Sequence, residues 1–123
     1  MRMHKMTLDE AWKNSISMWR WVASQKRKHP YSDVSRLKRV WLKKHGFDLI
    51  VCNCFFCEYD DKKGGAKLLC AFCPGILVEE DFGCCCEGYD WERTPIAFYN
   101  KIRSLNRKRL KNVFTFVMWC GVK

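Results

Sequence analysis

The chain has 123 residues, of which 48% are hydrophobic and 15% aromatic, and it carries a formal net charge of +10. That length and composition suit one domain with a modest core, and they exclude a disordered chain. No apolar run approaches the roughly 18 residues of a membrane span, and the opening MRMHKMTLDE lacks the apolar stretch of a secretory signal.

Without a signal the chain is expected in the cytoplasm, a reducing compartment where its nine cysteines stay out of disulfides. The charge is unevenly spread. Residues 1–46 hold twelve Lys/Arg against three Asp/Glu, residues 47–93 hold four against ten, and residues 94–123 hold seven against none. The basic ends of such a chain either meet its acidic middle or present a positive surface to an anionic partner.

A single domain over 1–123 is expected, mainly α with a small Cys-rich zinc knuckle and little strand. Its parts are a loose basic leader at 1–6, helices over 7–46, a Cys-rich segment over 47–93 and a helical region over 94–123. The first helix opens at Thr7-Leu8-Asp9-Glu10, a capping-box sequence in which Thr7 and Glu10 satisfy each other's backbone N–H groups. Trp12, Ile16, Trp19 and Ala23 then form one apolar stripe, with Met18 and Trp21 off it, and Pro30 closes the pattern. A second helix runs from near Ser32 to Gly46. Its apolar face is Val34, Leu37, Val40 and Trp41, and Arg36, Arg39 and Lys43 occupy another face. Lys43, Lys44 and His45 suit the negative end of the helix dipole, and Gly46 suits the residue past the C-cap.

Residues from Phe47 into the first cysteines read as a short strand, and residues 60–93 as turns punctuated by glycine and proline. The last helical region opens at Thr94-Pro95, an N-cap with proline at the first helical position. Phe98, Ile102 and Leu105 make its first stripe. Leu110, Val113, Phe114 and Val117 make a second, separated from the first by Asn-Arg-Lys-Arg at 106–109.

The strongest chemical signal is NCFFCEYDDKKGGAKLLCAFCPG, residues 53–75. Each Cys-x-x-Cys turn presents two thiolates to one ion. Two turns joined by a twelve-residue excursion bent at Gly64-Gly65 complete a tetrahedral site: Cys54, Cys57, Cys70 and Cys73 around Zn²⁺. Surplus sulfur leaves substitutions open, because Cys52, Cys84 or Cys86 could replace a member and a two-metal cluster is conceivable. An iron–sulfur cluster and reduced cysteines packed in a core are the competing readings. Cys120, remote in sequence, reads as a buried apolar residue.

Nothing in this pattern argues for an enzyme. Four thiolates close the metal's coordination sphere, and no βαβ pattern surrounds either Cys-x-x-Cys. The zinc deaminase arrangement needs a His-x-Glu that is absent, and His4, His29 and His45 all sit in polar sequence.

The segments LDEAWKNSISMWRWVA, WLKKHGFDLIVCNCFFCEY, CAFCPG and CCCEGYDWERTP resemble a group of small tailed-phage proteins. In these a Trp-rich N-terminal helix precedes N-C-x-x-C-E-Y and C-x-x-C-P. The match covers residues 7 to about 105, through Asn53-Cys54, Cys57-Glu58-Tyr59 and Cys70, Cys73-Pro74. The resemblance implies a phage origin, hence a host-cell cytoplasm, and a metal-binding core. It implies no activity.

Two functions fit. One is a zinc-stabilised accessory module that meets nucleic acid, or a nucleic-acid-associated host complex, through Arg36, Arg39 and Lys43 on one helix and Arg103, Arg107 and Lys111 on another. Trp21 or Tyr31 would stack on bases. The other is an anti-defence (anti-CRISPR-like) inhibitor that occupies an acidic host protein through an aromatic and basic surface. A virion component, which would self-assemble, is a weaker third. No membrane and no small-molecule substrate is expected.

Overall fold

The computed structural model describes residues 7–47, 55, 56, 59, 73–79, 82, 83 and 89–121, with side chains of the last stretch described as far as Lys111. Among the described residues the chain is helical and contains no strand. The strand expected from Phe47 toward the first cysteines falls largely on residues 48–54, outside the described residues.

The first helix, α1, runs Leu8–Lys28. The Thr7 hydroxyl accepts from the Glu10 N–H at 3.1 Å, and the Glu10 carboxylate accepts from the Thr7 N–H at 2.9 Å. Two backbone donors that the helix start would otherwise orphan are thereby satisfied. At the other end Lys26, Arg27 and Lys28 complement the dipole, and the helix stops at His29 before Pro30. The following turn is tied by Lys26, whose Nζ donates to the carbonyls of Pro30 and Ser32 at 2.5 and 2.7 Å.

α2 spans Val34–Lys44. It ends in a Schellman motif: the Gly46 N–H donates to Lys43 at 3.3 Å and the Phe47 N–H to Leu42 at 2.7 Å. That closure needs a left-handed residue, and Gly46 has φ +78°. Its buried face departs from the expected one. Val34 and Trp41 are buried and Leu37 is half-buried, but Val40 stands in solvent while Lys38 and Leu42 are buried.

A five-residue helix, α3, covers Pro74–Val78 and starts at Cys73. The last helix, α4, runs Pro95–Gly121, and residues 106–109, which separate the two expected stripes, lie within it. It is entered through an Asp90 turn, in which the Asp90 carboxylate accepts from the N–H groups of Glu92 and Arg93 at 2.8 and 3.0 Å. Thr94 occupies the N-cap, its carbonyl accepting from Phe98, but its hydroxyl donates back to the Asp90 carbonyl at 3.0 Å. Of the two stripes expected on α4, Phe98, Ile102 and Leu105 are buried and Leu110 is half exposed. Val113, Phe114, Val117 and Cys120 lie beyond the described side chains.

Among the described elements α1 is central and touches α2, α3 and α4. It runs antiparallel to α4, since Asp9 meets Arg109 while Arg20 meets Tyr99. Flanked on more than one side, α1 buries a face wider than its aromatic stripe: Ala11, Ser15, Met18 and Val22 are buried together with Trp12, Trp19 and Ala23. Each large apolar side chain buried there contributes about 1.5–3 kcal/mol.

The core is a chain of edge-on and tilted rings. Trp12 meets Phe56 at 4.7 Å, Phe56 meets Phe82 at 6.3 Å, Phe82 meets Phe98 at 6.1 Å, and Phe98 meets Trp19 at 4.9 Å. On the α2 side Phe55 stands edge-on to Trp41 at 5.8 Å and to Phe47 at 5.0 Å. Phe55 and Phe56 are the two residues between Cys54 and Cys57, so the Cys-rich segment supplies part of the helical core.

Candidate functional site

The metal-binding reading touches the described structure at Cys73. This residue is buried and caps α3, with Pro74 at the first helical position. Phe55 and Phe56 are buried, which ties the sequence around the first Cys-x-x-Cys turn to the α1 and α2 rings. Cys73 and the Phe55-Phe56 pair therefore both belong to the core. Cys54, Cys57, Cys70, Cys52, Cys84 and Cys86 lie outside the described residues. Among the described residues no three His, Cys, Asp or Glu side chains gather as a metal site.

The two cationic triples are described in full. Arg36, Arg39 and Lys43 are exposed on the outer face of α2, and Arg103, Arg107 and Lys111 are exposed on α4. Among the described residues none of the six is ion-paired. Their neighbours differ: Lys101 meets Glu79 at 2.7 Å and Arg109 meets Asp9 at 2.6 Å. Within each triple the spacing holds three cations on one helical face, close enough to repel one another.

Between the outer face of α1 and the end of α2 lies an open groove of about 630 Å³. α1 contributes Asn14, Ser17, Trp21 and Ser24, positions that recur every three or four residues along one ridge. α2 and its cap contribute Trp41, Lys44, His45 and Phe47, and Arg20 stands at the rim. Among the described residues no acidic side chain lines it. The aromatic wall is built by stacking: the His45 ring lies on Trp41 at 4.0 Å and 17°, and Phe47 is parallel to Trp41 at 6.1 Å. The His45 Nδ1 lies 2.9 Å from the Trp41 carbonyl, which holds the ring in place. Trp21, expected off the core stripe, is half-buried and lines this groove, while Tyr31 is fully exposed at the α1–α2 turn.

Arg20 joins the groove to α4. Its Nε donates to the Tyr99 hydroxyl at 3.1 Å, and the Arg103 guanidinium lies 5.6 Å from the Tyr99 ring centre. Burial pushes the Tyr99 phenol up, but hydrogen bonds from Arg20 and Arg103, together with their charges, outweigh it and leave the phenol below its ordinary value. Arg20 and Tyr99 escaped notice in the sequence because their roles depend on two helices 79 residues apart. Lys44 and His45 were visible only as dipole partners of α2.

Lys38 was also missed. Its ammonium lies 4.0 Å from the Trp91 ring centre and 5.5 Å from that of Trp19, inside the protein. Such an arrangement stabilises the pairing of α2 with α1 rather than offering a charge to a partner.

No family model, curated protein or solved structure matches this chain. Among the described residues no helix is long and apolar enough to cross a membrane.

Proposed function

We propose that this chain is a non-enzymatic, zinc-stabilised basic interaction module whose partner is nucleic acid, free or within a host nucleoprotein complex. One observation carries the reading: six cations on two helices are exposed and, among the described residues, not ion-paired, while adjacent cations on α4 do find carboxylates. Uncompensated charge of one sign raises the energy of the free protein and is relieved by an anionic partner. Zinc held by Cys54, Cys57, Cys70 and Cys73 would lock the Cys-rich segment onto the helices, its four thiolates leaving no position for substrate. The resemblance to tailed-phage proteins supports an accessory role in the host cytoplasm.

The test pairs charge reversal with metal analysis. Arg36, Arg39 and Lys43 are changed together to Glu, and separately Arg103, Arg107 and Lys111. Each triple should lower the slope of log affinity for DNA against log salt by about two to three, close to one for every phosphate left without its cation. The wild-type protein, purified reduced, should hold one zinc that Cys73→Ser or Cys57→Ser removes and Cys120→Ser does not. Reversed triples that fold and bind DNA unchanged would overturn the charged-surface reading, and zinc-free reduced protein the metal reading.

A second reading, direct inhibition of a host protein, is favoured by the fully exposed Tyr31 and the half-exposed Leu77 and Leu110. Binding anchored on such side chains would weaken little with salt.

A further inference from the structure

We infer that the groove between α1 and the end of α2 receives an unpaired base and its phosphate, so that the protein prefers single-stranded nucleic acid to duplex. This rests on the nucleic-acid reading above and names the form of the partner.

The groove's chemistry selects that occupant. Its cationic groups are Arg20 and Lys44, beside the His45 ring, and among the described residues no acidic side chain faces them. An anion is therefore favoured there, and a phosphate beside Lys44 or Arg20 would meet charge-assisted donors. The aromatic surfaces are Trp21 on one wall and, on the other, the His45 ring supported from behind by Trp41. A π-face beside a cation suits a base followed by its phosphate. In a duplex the base faces are stacked on one another and are not offered. Asn14, Ser17 and Ser24 add small polar groups along the α1 wall, able to bond a base edge or sugar without filling the space.

The groove also continues. Arg20 contacts Tyr99, and Arg103 lies over the Tyr99 ring, so cations lead from the groove onto the exposed face of α4 that carries Arg107 and Lys111. A strand with a base in the groove would place its next phosphates along that path. The α4 triple then serves both forms of nucleic acid, and the groove serves the single strand alone.

The experiment measures fluorescence anisotropy of a labelled oligothymidylate and of a labelled duplex of equal length, at one moderate salt concentration. Two variants are compared with wild type. Trp21→Ala removes a stacking surface. Ser17→Glu puts a carboxylate into the groove from an exposed helical position, so the fold is retained even if Trp21→Ala loosens the core. Wild type should bind the single strand more tightly than the duplex. Each variant should weaken single-strand binding by about tenfold, the size of one base stack, and leave duplex binding unchanged. Equal affinity for the two forms, or single-strand affinity unmoved by Ser17→Glu, would overturn the groove assignment while the basic-surface function stood. Failure of wild type to bind either form would overturn both and leave the protein-inhibition reading.

Discussion

On α2, Lys38 turns into the protein over the rings of Trp91 and Trp19, while Arg36, Arg39 and Lys43 stand in solvent. On α4 the cations nearest the core remain at its boundary. Lys101 pairs with Glu79 beside α3, and Arg109 pairs with Asp9 of α1 while lying 5.2 Å from the Trp12 ring centre. Both helices are basic and amphipathic, and neither has an acidic first turn. What separates their lysines is the company each position meets. Among the described residues Lys38 meets two indole faces in a buried site, and Lys101 meets a carboxylate at the surface. A buried cation holds elements together, a boundary cation meets a carboxylate, and an outward one is left in solvent.

The largest expected effect breaks this comparison at Lys38. Lys38→Ala removes a buried aliphatic stem and a desolvated cation–π contact, and should cost about 2–4 kcal/mol of unfolding free energy. Lys101→Ala removes a partly solvated ion pair and should cost much less. Urea unfolding of the two variants measures the difference directly. Equal destabilisation would mean that the buried position of Lys38 carries no special weight.

A second test acts on the α4 side alone. A Cβ on Gly75 would stand 2.5 Å from two ring carbons of Phe82, and that ring is held between Phe56, Phe98 and Tyr89. The ring has little room to give, so Gly75→Ala should destabilise by about 1–3 kcal/mol. In NMR spectra the Trp19 indole, packed on Phe98, should shift, and the Trp41 indole beside α2 should not.

The smallest effect is a titration. The Glu79 carboxyl lies below its ordinary value, chiefly because it accepts a hydrogen bond from Lys101; slight burial opposes this, and the charges of Lys101 and Lys108 add to the lowering. A carboxyl lowered in the folded state contributes stability above its unfolded value, and loses that contribution as pH falls through the folded value. The Glu79 titration followed by NMR should therefore move back up in Lys101→Met. It should stay where it is in any folded Lys38 variant.

Local chemistry made much of the framework legible in advance. The Thr7–Glu10 box, the left-handed Gly46 and the Thr94-Pro95 start of α4 are each decided within a few residues, by which backbone donors need partners and which φ values a residue tolerates. Periodicity likewise located Trp12, Trp19, Phe98, Ile102 and Leu105, because a helix repeats its inward positions wherever it packs. The exposed cationic triples followed from the same repeat. The spacing of Cys54, Cys57, Cys70 and Cys73 carried the metal reading, and of these Cys73 alone lies among the described residues.

Tertiary packing decided the rest. Periodicity gives the direction of a buried face but not its width, so Met18 and Val22 are buried because α1 is flanked on more than one side. Hydropathy alone favours Val40 over Lys38 for the interior. The fold reverses them because Trp19 and Trp91, distant in sequence, offer a cation two ring faces at that position and leave Val40 in solvent. The groove is decided in the same way. Asn14, Ser17 and Ser24 are remote in sequence from Lys44, His45 and Phe47 until the end of α2 folds back beside α1. A site formed between two helices has no periodicity of its own, and only the distance across their packing brings its parts together.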